Sequence, residues 1–427
     1  MRRGKIVATQ VASIALLTTL APTSATAGRP VALVGGEVHT VTGGVLSGAT
    51  VLVDARGRIG RVGTDLPLPD KALVIDCRGK IVTPGLIESL SRLGLVEISL
   101  EPSTVDASPS SPDPIRAAVD VSDAIDVRSS LVGVARRHGV TSAVALPGGG
   151  LVSGQGAWFD LLDGRTDAWR TAIVGPVAMR AVLGEAGAGA VGGSRATAMM
   201  RLMEALDDAR AYRTSKAAYG RNAMRKLITS RLDLEALQGV NARRQSLLVG
   251  VNRASDILAV LRFAKKARID VVLTGVAEGW LVADAIAAAG VPVVVNALAN
   301  LPRRFESKNS RADNGVLMAR AGVKVAIATG SAHNVSGLRF ALGNAVRAGM
   351  PRDLALKAAT LHPAEIFRLG RKYGAIQRGR VANLVVWSGD PFEPSSAAEH
   401  VIIRGEVQTT ENRQTRLRDR YKARLGL

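Results

Sequence analysis

Asp76-Cys77-Arg78-Gly79-Lys80-Ile81-Val82-Thr83-Pro84-Gly85-Leu86-Ile87 marks the point where the chain changes texture. Before it come short β-branched or apolar runs: Val31–Leu33, Glu37–Thr42, Ala49–Asp54, Ile59–Val62 and Leu73–Asp76. Gly35-Gly36, Gly43-Gly44 and Arg56-Gly57-Arg58 punctuate them as hairpin turns. That pattern predicts a small all-β unit over 28–82. After Ile81, continuous apolar runs alternate with Ala/Leu/Arg-rich stretches of helical period. The runs are Val140–Leu146, Ala172–Val177, Ser246–Val251, Val271–Leu273, Pro292–Asn296 and Val323–Thr329. Ser255–Ala267, Trp280–Ala289 and Leu338–Ala348 are the clearest helical stretches.

Strands apolar on both faces and separated by helices belong to a buried parallel sheet. About eight such units make a TIM-type (β/α)8 barrel over 83–372. Three segments stand apart from the repeat. Residues 103–115 are rich in Ser, Pro and Asp and read as a surface excursion. GEAGAGAVGG at 184–193 reads as a flexible loop, and 194–245 as a long Arg-rich helical insertion. The β texture returns at Gly374–Gln377, Ala382–Trp387 and Val401–Gly405, giving a second β segment over 373–410. The last segment, 411–427, is a basic helix. Its Leu417, Tyr421 and Leu425 fall at i, i+4 and i+8, so one apolar stripe is expected to dock it.

The 427 residues are 47% hydrophobic, enough for a sizeable core, which excludes whole-chain disorder. The single cysteine, Cys77, excludes an intramolecular disulfide and a Cys-based structural zinc site. A formal net charge of +20 favours anionic partners. Aromatics are only 3% and no recognition motif occurs, so nucleic acid is not the expected partner. Arg2, Arg3 and Lys5, an apolar stretch to about Leu20, and Ala25-Thr26-Ala27 together read as a secretory signal over 1–27. A periplasmic or secreted protein is expected, with no transmembrane segment after signal removal.

The order β-segment, barrel, β-segment resembles the metal-dependent amidohydrolase superfamily, in its imidazolonepropionase-like, exported branch. Asp76–Ile87 is similar to the family segment leading into barrel strand one. Thr360-Leu361-His362-Pro363-Ala364-Glu365 resembles the helix start after strand eight. Gly374–Trp387 resembles the return strand pair, with Asn383 where the family usually has Asp, and Asp390-Pro391 and Ile402–Val407 finish the pattern. The resemblance implies one β-sandwich built from both terminal segments beside the barrel. It also implies hydrolysis of non-peptide C–N bonds by one or two divalent metals, such as zinc, at the barrel mouth. The metal would activate a bound water, and a carboxylate would take its proton.

This sequence departs from the family at the ligands. The His-x-His pair that ends strand one would fall on Leu90 and Arg92. Leucine cannot ligate, and arginine brings a fixed positive charge. Asn252 or Gly250, Thr274 and Gly330 occupy the later positions. No catalytic metal or other cofactor is therefore expected. The histidines His39, His138, His362 and His400 read as structural or surface residues, and only His333 falls near the mouth.

Three functions stay open. In the first, the chain is a catalytically degenerate hydrolase that binds a small polar or anionic ligand, or partners an active paralogue. Arg92, Asn252, Ser331 and Asn334 are its candidate ligand-binding residues. In the second, it is an active hydrolase with a rearranged site of His333, Glu88 and Glu278. In the third, it is a cationic cell-envelope binding protein. Glu88 paired with Arg92 could also simply fill the metal position. Pro147-Gly148-Gly149-Gly150 and Ser153-Gly154-Gln155-Gly156 read as flexible barrel loops rather than anion cradles.

Overall fold

The structure is a computed structural model that describes residues 28–108, 112–163, 172–299 and 301–426. The signal assigned to 1–27 lies outside the described residues. Five strands precede the barrel: β1 (Val31–His39), β2 (Val45–Val53), β3 (Ile59–Gly63), β4 (Leu73–Asp76) and β5 (Ile81–Pro84). The barrel comprises β6 (Leu86–Ser91), β7 (Val140–Ala145), β8 (Val152–Asp160), β9 (Ile173–Val182), β10 (Ser246–Val251), β11 (Val271–Gly275), β12 (Val293–Val295) and β13 (Val325–Ile327). Three strands follow it: β14 (Leu384–Trp387), β15 (Ala398–Ile403) and β16 (Glu406–Gln408).

Both terminal segments form one eight-stranded sheet, ordered β16-β15-β14-β5-β1-β2-β3, with β4 paired to β1. β1 pairs β4 through Val31–Val34 and β5 through Glu37 and Val38, so one long strand joins two parts of the sheet. Val31, Leu33, Val51, Ile75, Val82, Leu384 and Ile402 share its core. Gly35-Gly36 is not a hairpin turn. β1 runs through it with shifted register, Gly35 has φ +77°, and the chain remains paired on both sides. Gly57 does turn the chain. At φ +71° its missing Cβ would lie 1.9 Å from the Arg404 carbonyl oxygen, so the amino- and carboxyl-terminal segments touch there backbone to backbone.

The second sheet runs β6 to β13 in chain order and is the barrel. Ile87, Val144, Trp158, Ala178, Leu248, Val272, Val294 and Ala326 fill its interior. The alternate residues Leu86, Met179, Leu247, Val271, Val293 and Val325 pack outward with the helices. One strand differs from eight identical units. β8 runs antiparallel to both β7 and β9, whereas the other neighbouring barrel strands pair in parallel. Ser153–Gly156 therefore lies in a barrel strand rather than a loop. Its glycines answer crowding: a Cβ on Gly154 would lie 2.5 Å from the Val119 carbonyl oxygen, and one on Gly156 would lie 2.3 Å from Leu146.

Other segments also differ from expectation. Gly184–Ala190 is a short helix with Gly184 and Gly187 buried, so 184–193 is not simply a loop. Within 103–115, Ala107 and Ile115 are buried and anchor the excursion to the barrel. The insertion 194–245 is helical, led by Arg195–Thr214. The basic helix Arg413–Leu425 does not dock along its stripe: Tyr421 is 56% and Leu425 71% exposed. It is held at its start, where Asn412 and Thr415 form a reciprocal cap. No described helix is long and apolar enough to cross a membrane.

Asp160, fully buried at the end of β8, ties the two sheets together. It accepts hydrogen bonds from Ser142 Oγ (2.7 Å), Asn383 Nδ2 (3.1 Å), Tyr373 OH (3.0 Å) and Arg404 Nε (2.6 Å). Asn383 also accepts from the Arg404 backbone N–H at 2.8 Å. An amide suits this position because it donates to the carboxylate and accepts from the backbone together. The aspartate usual in the family would set two carboxyl groups against each other here.

Candidate functional site

The carboxyl ends of the barrel strands form the mouth, where TIM-type barrels carry their chemistry. Glu88, on β6, is fully buried. It does not pair with Arg92. Its carboxylate accepts from Thr329 N (2.9 Å), Thr329 Oγ1 (2.8 Å) and Leu90 N (3.0 Å). These bonds join strand one to the segment after β13, where no strand ladder links the two among the described residues. Burial pushes the Glu88 carboxyl up to about 7, against the opposing pull of its hydrogen-bond donors.

Ser89, on β6, is fully buried, and its hydroxyl has no hydrogen-bond partner among the described residues. Arg92, just past β6, is exposed and lies over Gly148, whose added Cβ would come within 2.7 Å of its guanidinium. The Gly148-Gly149-Gly150 turn is thus packed by arginines rather than free: Arg116 Nη2 donates to the Gly148 carbonyl at 3.2 Å and covers Gly149 and Gly150. Arg180 is half-buried on β9. It lies two residues beyond Ala178 and opposite Leu248, both interior residues, so it points into the barrel. It has no hydrogen bond or ion pair among the described residues. Burial, and then the nearby Arg92 charge, lower its guanidinium to about 10, so it stays cationic at neutral pH.

On the other side of the mouth, Asn252 Nδ2 donates to Glu306 Oε1 at 2.9 Å. The buried Glu306 also accepts from Glu185 N at 2.8 Å and pairs with Arg195 at 3.5 Å, holding the 301–312 segment over the strand ends. Asn296 Nδ2 donates to the Thr329 carbonyl at 2.8 Å. Beneath that segment is a cavity of about 290 Å³ lined by Leu90, Asn252, Asn296, Glu306 and Arg311.

The three carboxyl and imidazole candidates do not assemble. Glu278 accepts from Ala254 N (2.8 Å) and Asn309 Nδ2 (2.7 Å), so it caps the helix Ala254–Ala267. His333 is exposed, with Nε2 3.1 Å from the Glu97 carbonyl oxygen. No hydrogen bond or ion pair joins any two of Glu88, Glu278 and His333. Ser331 Oγ accepts from Asn334 N at 3.2 Å, a local turn beside the exposed Asn334. Of the four expected ligand-binding residues, Asn252 lines the cavity and Arg92 packs over the Gly148 turn, while Ser331 and Asn334 bond one another in the turn after β13. Sequence reading missed Arg180, Asn296 and Glu306. Arg180 carried a signal, a cation inside the apolar run Val177-Ala178-Met179-Arg180-Ala181-Val182, but the expected strand ends at Val177.

The divalent metal implied by the family resemblance can be tested against these residues. Leu90 offers no donor, Arg92 is cationic, Asn252 is bonded to Glu306, and Gly330 has no side chain. Among the described residues no group of three His, Cys, Asp or Glu could hold a metal ion. This donor set does not fit the ion.

No curated protein sequence matches the chain. The structure resembles an amidohydrolase from Thermotoga maritima MSB8 at 25% identity, with a TM-score of 0.79, 88% of this chain covered and 99% of that one. It also resembles phenylurea hydrolase B (16% identity, TM-score 0.56, 89% and 97% covered) and molinate hydrolase (16%, 0.54, 90% and 95%), likenesses of fold alone. The amidohydrolase family model matches residues 194–411. With the barrel, the sheet made from both ends of the chain and this match together, the chain belongs to the amidohydrolase family.

Proposed function

We propose that this amidohydrolase-family protein is exported and has given up metal-dependent hydrolysis, and that it binds a small ligand at the barrel mouth, alone or as the partner of an active paralogue. The observation that carries this reading is the replacement of the ligand positions by Leu90, Arg92, Asn252, Thr274 and Gly330. A dication held by a leucine, an arginine and a glycine would lack the anionic or imidazole donors it requires. The engagement of Glu88 by Thr329 and of Glu278 by a helix start supports the same reading, because both carboxylates are committed to hydrogen bonds that hold the fold. Export rests on the basic and apolar stretches before Ala27.

The test is metal analysis of the pure protein after incubation with zinc or manganese and desalting, alongside amidase and peptidase assays. Well under one equivalent of retained metal and no turnover are expected. A stoichiometric, tightly held ion with turnover refutes the reading.

A further inference from the structure

We propose that the barrel mouth binds a small oxyanion, a carboxylate or phosphate group, through the guanidinium groups of Arg180 and Arg92. The inference rests on the reading of a metal-free mouth and names the ligand chemistry that mouth takes.

The argument begins with charge. Arg180 points inward from β9, and Arg92 stands at the rim beyond β6, close enough for its charge to act on Arg180. Neither has a hydrogen bond or ion pair among the described residues, so the rim carries two positive charges without a counter-ion. The nearby carboxylates are engaged elsewhere: Glu88 by Thr329 and Leu90, Glu306 by Asn252 and Arg195. A half-buried charge with no partner is costly, and two of like sign are more so. A bound oxyanion removes that cost. The planar guanidinium fork matches the two oxygens of a carboxylate or phosphate.

The second observation is steric and concerns the space around Arg92. Gly148 completes the arrangement, because any side chain there would displace the Arg92 guanidinium.

The experiment is calorimetric titration of the full chain with inorganic phosphate and, separately, succinate at constant ionic strength, so that screening at the basic surface is held fixed. Saturable one-site binding of either anion is expected, and the tighter one names the oxyanion. Arg180→Met should weaken it by about thirtyfold and Arg92→Met by about tenfold, the scale of a lost charge-assisted hydrogen bond. Methionine fills similar space without charge, so anion-free Arg180→Met should melt no lower than the parent. No saturable binding, or binding unchanged in Arg180→Met, overturns the proposal. So does an Arg180→Met protein that melts several degrees lower without anion, which would make the guanidinium a packing element. Retained zinc with turnover is the separate failure of the metal-free reading and is measured before any anion is added.

Discussion

Replacing Asn383 with aspartate should leave the protein nearly as stable as the parent near pH 4 and markedly weaker at neutral pH. The Asn383 amide nitrogen lies 3.1 Å from Asp160 Oδ1 in a fully buried network. Two carboxylates at that separation repel by about 5 kcal/mol at an effective dielectric near 20. The variant escapes by keeping a proton, so the folded pKa of residue 383 rises above its unfolded value of about 3.9. A group raised in the fold leaves stability intact below the unfolded pKa and removes it as pH climbs towards the folded pKa. The penalty therefore grows by about 1.4 kcal/mol per pH unit and is limited to about 4 kcal/mol at pH 7. Urea denaturation of parent and Asn383→Asp at pH 5 and pH 7 reads this directly. The difference between the two proteins should widen by about 2.7 kcal/mol between those pH values. An equal difference at both pH values would refute the electrostatic account of why this chain departs from the family residue.

The Glu88 carboxyl, raised from 4.5 to about 7, predicts stability that is full below about pH 4.5 and falls by about 3 kcal/mol as pH rises towards 7. Denaturation across that range should show the slope in the parent and lose it in Glu88→Gln. Gly57→Ala forces a Cβ against the Arg404 carbonyl at φ +71°, and should cost about 3 kcal/mol or more in chemical denaturation. Tyr421→Ala and Leu425→Ala, on the exposed face of the terminal helix, should each change stability by no more than about 0.5 kcal/mol. A larger loss by calorimetry would show that the stripe is covered.

The change of texture at Ile81, the apolar strands and the return at Ala382–Trp387 were readable because their residues bury the same faces in any fold of this class. β8 was not readable: Gly154 and Gly156 look like loop residues until Val119 and Leu146 are seen pressing on them. The stripe of Leu417, Tyr421 and Leu425 shows the converse, since helical spacing marks a face that could be buried and says nothing about what is there to cover it.

At the mouth the division is sharper. Residue identity was enough to decide that Leu90, Arg92 and Gly330 cannot serve as metal ligands, because ligation depends on which atoms a side chain possesses. It was not enough to decide what the remaining polar residues do. Glu88, Glu278 and His333 lie far apart in the chain and were equally eligible as partners, until folding gave the first to Thr329, the second to the start of a helix and left the third outside. Arg180 followed the opposite course, an unremarked cation whose lack of a partner appears only once the neighbouring strands enclose it. Covalent structure carries the inventory of donors and charges, whereas their pairing depends on distances between segments that only the closed barrel sets.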